Sequence, residues 1–198
     1  MPHLRAFRPG DEPALAEICL KTADAGGDAT GVLDDDAIWA EIFVLPYVAR
    51  HPEFAFVVES DDGRVVGYIV AAPDTEAFEA WFHTVWWPER GGRRPLSAEG
   101  NPRQSDILRY AAGRSQTPGR FSAEYPAHLH IDLLPETQGG GWGRRLIEAL
   151  VTALREAGVP GVHLAAAPEN AGAIAFYPRV GFDRLPSEPD VVAFGRRL

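Results

Sequence analysis

The sequence predicts one α/β domain of interspersed strands and helices, broken by one insertion. Three observations predict it. Stretches with strand-like alternation and stretches with helical spacing are interspersed along the chain, with no clean linker between them. The 198 residues are 45% hydrophobic, enough to bury one well-packed core. The segment at about 74–125 departs from this order, with several Pro and Gly and three tryptophans: Trp81, Trp86 and Trp87.

Residues 3–8 read as a short strand. "RPGDEPALAEICL" then gives a turn, an acidic helix start and apolar residues at helical spacing. "KTADAGGDATGVLDDD", 21–36, is a glycine-rich acidic loop, and a second helix is expected from about Asp36 to Val44. "EFAFVVES" and "RVVGYIVAAP" flank "DDG" as a hairpin. Within the insertion, "TEAFEAWFHTVWW" and "SDILRYAAG" read as helical pieces. "AHLHIDLLP" is a strand stopped by Pro135. Leu146, Ile147, Leu150, Val151 and Leu154 then form one apolar stripe, so a helix begins near Gly141 to Gly143. "GVHLAAAP" is the next strand, "NAGAIAFY" a short helix, and "GFDRL" and "VVAFGRRL" the last strands. Pro178 follows Tyr177 directly, which predicts that the short helix ends or bends at Tyr177.

Composition narrows the function classes. Net charge is −9, with 28 acidic against 19 basic residues, which argues against nucleic acid and suits a cationic partner. The single cysteine, Cys19, allows no intramolecular disulfide and sits on an apolar helix face as a small core residue. No apolar run approaches the ~20 residues that span a bilayer, and the first residues lack a signal-like apolar stretch. The expected location is cytoplasmic.

The sharpest local feature is "TQGGGWGRRLIEAL", 137–150. No side chain there is placed to cap the new helix, and Arg144 and Arg145 add positive charge at the positive end of its dipole. A bound anion resolves both problems: free N–H groups, the dipole and arginines favour a phosphate, and glycines let it come close. The GxxxxGK[ST] loop of nucleotide hydrolases is absent, and the dinucleotide GxGxxG pattern fails at Arg144.

Gln138-x-x-Gly141-x-Gly143 directly after a strand resembles the pyrophosphate loop of the GNAT superfamily of N-acetyltransferases. "NAGAIAFYPRVGF" is similar to that family's second cofactor motif, with Asn170, Ala173, Tyr177 and Gly181-Phe182 at the expected spacings. "LRAFRPGDEPAL" is similar to its first strand and helix. The likeness covers the chain except 74–125. "YPAHLHIDLLPETQGGGWG" with "GVPGVHLAAAPENAGAIAFYPRVGF" further resembles the acetyltransferase-like C-terminal domain of O-GlcNAcase and its free-standing bacterial relatives.

The resemblance implies one domain over 1–198, a mixed but mostly antiparallel sheet, and acetyl-CoA as co-substrate. It implies that Gln138, Gly139, Gly140, Gly141, Trp142, Gly143 and Arg144 hold the pyrophosphate, and that Asn170, Ala173, Phe176 and Tyr177 line the cofactor. It implies that splayed strands leave backbone groups of Leu133 and Leu134 free for pantetheine, with an N–H near Leu133 polarising the thioester carbonyl. Tyr177 is expected to protonate the departing thiolate; its alternative is a core aromatic. Asn170 doubles as a helix cap.

On the strand "HLHIDLL", Leu129, Ile131 and Leu133 share one face and His128, His130, Asp132 and Leu134 the other. Asp132, or a water it holds, is the candidate base for an amine acceptor; the two histidines either line the acceptor site or hydrogen-bond a neighbouring helix. No metal ligand cluster is legible. The acidic loop 21–36 either draws an ammonium substrate or is a solvated turn, and the tryptophans pack the insertion, shape specificity or form a homodimer contact. The acceptor is expected to be a primary amine on a small molecule or peptide. A coenzyme-binding module without turnover, and a binder of another nucleotide, remain as alternatives.

Overall fold

The computed structural model describes residues 1–91, 100–114 and 120–198. Its seven-stranded sheet has the order β1-β2-β3-β4-β5-β7-β6. β1 (His3–Ala6), β2 (Ala55–Glu59), β3 (Val65–Ala72) and β4 (Ala127–Leu133) pair antiparallel in succession. β4 then meets β5 (Gly161–Ala166) in parallel, while β7 (Val192–Arg197) pairs antiparallel with both β5 and β6 (Asp183–Leu185). The sheet is therefore mixed and mostly antiparallel, as the family likeness implied.

The two sheet faces are covered by different helices. Tyr68, Val70 and Ala72 of β3 bury against α1 (Glu12–Thr22), α2 (Ala37–Phe43), α3 (Leu45–Arg50) and the insertion. Ile69 and Ala71, one residue out of phase, bury with Leu129 against α7 (Trp142–Glu156) and residues of α8 (Ala171–Arg179). All five stripe residues of α7 are at most 1% exposed, so its period is satisfied in full.

Among the described residues, α3 is a helix the sequence reading missed. Val44 leaves helical geometry at φ −137°, and Pro46 restarts a helix in its first turn, where its missing N–H has no partner to lose. α8 corrects the opposite expectation. It runs through Pro178 to Arg179, because the lost bond falls in its last turn, which Val180 and Phe182 close by donating to Tyr177 O.

The insertion carries α4 (Thr75–Trp81), a π-helical stretch over Phe82–Trp86, α5 (Trp87–Gly91) and α6 (Pro102–Gly113). Its tryptophans pack it onto the body. Trp86 Nε1 donates to Glu41 O at 2.8 Å, Trp87 stacks on Phe82, and Arg50 lies over Trp81. The acids of the 21–36 loop fasten turns: Asp28 accepts from Thr30 N and Lys21 Nζ, and both oxygens of Asp36 take Gly31 N. Cys19 is buried in the core, and burial pushes its thiol pKa up. Among the described residues, no helix is long and apolar enough to cross a membrane.

Candidate functional site

A cavity of about 580 Å³ opens where β4 and β5 part, between the N-terminus of α7 and the side of α8. The two strands pair only at Ala127–Val162 and His128–His163, and beyond His128 no pairing continues. The edge this leaves on β4 follows from antiparallel alternation. Leu134 N donates to Val66 O at 3.0 Å, so Leu134 points its N–H into β3. Leu133 and Ile131, odd in the same register, therefore turn their N–H groups the other way, towards the gap. This corrects the expectation for Leu134, whose N–H is already used and which does not line the cavity. Leu133 C=O is also engaged, by Gln138 Nε2 at 3.0 Å, so Gln138 braces the loop against the strand end. Ile131 was passed over in the sequence because only the pairing register reveals which edge its N–H faces.

The glycine loop leaves backbone N–H groups open at the start of α7. Gly139 and Gly141 both sit at φ +78°, a conformation that side chains disfavour. Gly141 precedes α7 with no side-chain cap, so the first N–H groups of that helix open on the cavity. Gly143 serves contact instead: a Cβ there would stand 3.0 Å from Phe176 Cζ, so α7 and α8 touch at this point. Gly140 does not line the cavity, and a Cβ on it would press on the Trp142 indole. Arg144 reaches across to donate to Arg179 O at 2.7 Å, bridging α7 to the C-terminal end of α8. Arg145 lies over the Trp142 ring at 4.5 Å.

Asp132, Trp142, Asn170, Ala173, Phe176 and Tyr177 line the same cavity, whereas His128 and His130 do not. Asn170 Oδ1 accepts from Ala173 N at 2.9 Å and caps α8, while its amide lies against Gly26 of the α1–α2 loop, closing that side. Tyr177 is 7% exposed among Phe176, Phe182 and Phe194. Its hydroxyl has no hydrogen-bond partner among the described residues and is not sealed in the core, because Tyr177 lines the cavity. Burial, reinforced by the Asp132 charge, raises its pKa, so it holds its proton. Asp132 accepts from Tyr68 Oη at 2.5 Å, and burial raises its carboxyl above the usual range against the hydrogen bonds of Tyr68 and Thr22.

His128 and His130 point to the helical face and meet neighbouring helices. His128 Nδ1 is 2.9 Å from Thr75 Oγ1 and its Nε2 2.7 Å from Tyr47 Oη; His130 Nε2 is 3.1 Å from the same hydroxyl. Arg114 binds both oxygens of Glu79 and also reaches Tyr47 Oη at 3.3 Å. Burial, with Arg114 adding to it, lowers the His130 pKa to about 3. Among the described residues no group of three His, Cys, Asp or Glu could hold a metal.

A model of the acetyltransferase (GNAT) family matches residues 27–182. The solved structure of SsHAT shares 38% identity and superposes with a TM-score of 0.89, covering 99% of this chain and 98% of that one. PH1933 from Pyrococcus horikoshii shares the fold at 15% identity, with a TM-score of 0.66 over 100% and 99% of the two chains. The mycothiol acetyltransferase of Amycolatopsis mediterranei is 27% identical over 212 residues, 97% of this chain and 65% of that protein. The chain thus spans just under two thirds of that relative's length.

Proposed function

Because the chain belongs to the acetyltransferase (GNAT) family, we propose that it transfers an acetyl group from acetyl-CoA to a primary amine within a ternary complex. The observation that carries the proposal is one cavity joining an uncapped helix start, the unpaired edge of β4 and the free hydroxyl of Tyr177. The residues fit such a donor. N–H groups from Gly139 to Arg144 suit a pyrophosphate, with Arg144 and Arg179 supplying positive charge at the wall. The Leu133 and Ile131 N–H groups suit an extended amide chain and a thioester oxygen.

Acetyl-CoA supplies the activated acetyl thioester, and the protein orients it and moves protons. The backbone N–H groups of β4 polarise the carbonyl as fixed donors, worth most where water is excluded. Asp132, or a water it holds, takes a proton from the amine as nitrogen bonds to the carbonyl carbon. Tyr177, protonated in the resting state, gives its proton to the sulfur as the C–S bond breaks. The chain is read as one acetyltransferase domain whose insertion, 74–125, lies on the amine side.

The test is a thermal-shift titration with acetyl-CoA, CoA and ATP, followed by thiol release across an amine panel. Acetyl-CoA is expected to raise Tm while Gly141→Asp, which sets a carboxylate in the cradle, abolishes the shift. Tyr177→Phe should bind normally and turn over slowly. Stabilisation by ATP but not by acetyl-CoA would overturn the reading, and a fully active Tyr177→Phe would remove the acid role.

A further inference from the structure

The hydrogen bonds around Tyr47 have a direction, and that direction fixes the protonation of a half-buried histidine, His130. Pro126 C=O can only accept, so Thr75 Oγ1 donates to it, at 2.7 Å. The Thr75 oxygen is then left to accept, and the proton between it and His128 lies on Nδ1. His128 is buried and its pKa is held well below the ordinary value, chiefly by burial and then by His130 and Arg114, so it is neutral and its Nε2 is a bare lone pair. Tyr47 therefore spends its one proton on His128 Nε2. The Tyr47 oxygen must accept from everything else that reaches it. Arg114 Nη2, which can only donate, agrees with this from the other side.

His130 Nε2 must accordingly be the N–H that donates to Tyr47, and its Nδ1 carries the lone pair. That Nδ1 has no hydrogen-bond partner among the described residues, and it is not sealed in the core: Trp39 Nε1 alone is buried and unpartnered there, and His130 is half-buried. Its ring packs edge-on to Phe43 of α2, which in turn stacks on Tyr110 of α6, itself 50% exposed. His130 shares its strand face with Asp132, two residues and about 7 Å along β4.

We infer that His130 Nδ1 is a docking point for the amine substrate, accepting a hydrogen bond from its N–H while the carbon body lies along Phe43 and Tyr110. The inference rests on the transfer reading above and adds a positioning residue to it. The relay Pro126–Thr75–His128–Tyr47 keeps the lone pair outward, and neutrality keeps the site from repelling an ammonium. The aromatic pair adds attraction for a cation approaching over its faces. The insertion takes part directly, because α6 supplies Tyr110 and α4 supplies Thr75.

Two substitutions separate docking from mere structure. His130→Gln keeps an N–H for Tyr47 at the Nε2 position but has no acceptor at Nδ1. His130→Asn keeps an acceptor near Nδ1 but abandons Tyr47. With glucosamine, agmatine, tyramine and a lysine tetrapeptide as probes, His130→Gln should raise the KM of every productive amine about tenfold, the loss of one hydrogen bond to substrate. Its Tm and its acetyl-CoA shift should stay near wild type. His130→Asn should lower Tm yet keep that KM within about threefold. A purely structural histidine would give the reverse order, which overturns the inference. A side-chain ¹H–¹⁵N spectrum of the whole protein at pH 7 should show His130 protonated at Nε2; protonation at Nδ1 also overturns it. A wild type that binds acetyl-CoA but releases no thiol with any probe overturns the transfer reading, and the inference with it. An unchanged KM in His130→Gln, with wild type active, overturns the inference alone.

Discussion

Tyr47→Phe tests the buried relay with a single oxygen. Phenylalanine keeps the ring, which stacks on Phe78 at a centroid distance of 4.4 Å, so no cavity opens. What is lost is the donor to His128 Nε2 and the acceptor for His130 Nε2–H and Arg114 Nη2–H. His128 is buried, and its lone pair then has no partner, at about 1–3 kcal/mol. Arg114 retains both oxygens of Glu79 and the Ile42 carbonyl, so its share is small. His130 is half-buried and water can reach it, so its share is also small. The sum is about 2–4 kcal/mol, or roughly 10 °C in Tm for a chain of this length. Urea unfolding followed by circular dichroism and by tryptophan fluorescence reads it, with coincident curves and an unchanged slope as the check on two-state behaviour. A loss below about 0.5 kcal/mol would refute the directed network, since no buried orphan would then have been created.

Acidification should act through the same imidazoles. His128 and His130 have lowered pKa values in the folded chain, so the unfolded chain binds protons first and stability falls as pH drops below about 6.5. Each contributes up to about 1.4 kcal/mol per pH unit once the unfolded imidazole is fully protonated, so unfolding free energy should fall by about 3 kcal/mol from pH 6.5 to 5, and by about half that in His130→Gln. Asp132 works in the opposite sense. Its folded pKa is raised, so ionisation opposes folding once pH exceeds the unfolded value, and Asp132→Asn should raise Tm at pH 8 more than at pH 4 while slowing thiol release. Gly143→Ala sets a methyl 3.0 Å from Phe176 Cζ and should weaken acetyl-CoA binding about three- to tenfold by calorimetry, with stability within about 1 kcal/mol because alanine favours the helix.

Those features that a short window contains were legible in the sequence. The α7 stripe, the missing cap and the glycines are local, and the structure has the same uncapped start. Asn170 and Tyr177 were legible by their spacing, because α8 sets both against the same cavity. The alternation of β4 correctly separated Leu129, Ile131 and Leu133 from His128, His130 and Asp132. What it could not supply was the partner on each side. Tyr47 lies on a helix the sequence hid behind Val44 and Pro46, and Thr75 and Arg114 belong to the insertion. Nor could it tell Leu133 from Leu134, since adjacent residues differ only by which neighbour their N–H faces, and that depends on pairing with Val66. Arg144 shows the same gap: its charge was visible, while its bond to Arg179 O depends on how α7 meets α8.

β4 therefore acts in three directions at once, and this is why the site falls where it does. One face is buried under α7, the other holds a polar relay against α3 and α4, and the edge beyond His128 is left without a strand. An open edge inside a sheet is ordinarily a liability, because it exposes unpaired N–H groups. Here the N-terminus of α7 opens on the same gap with further unpaired N–H groups and the same sign of dipole. Both sets of donors want an extended, anion-tipped chain, and an acetyl thioester at the end of a pyrophosphate-bearing arm satisfies both. On the proposed reading, the face that holds His130 and Asp132 meets the reacting end of that chain from the side, so the strand proposed to bind the donor would also set where the amine stands.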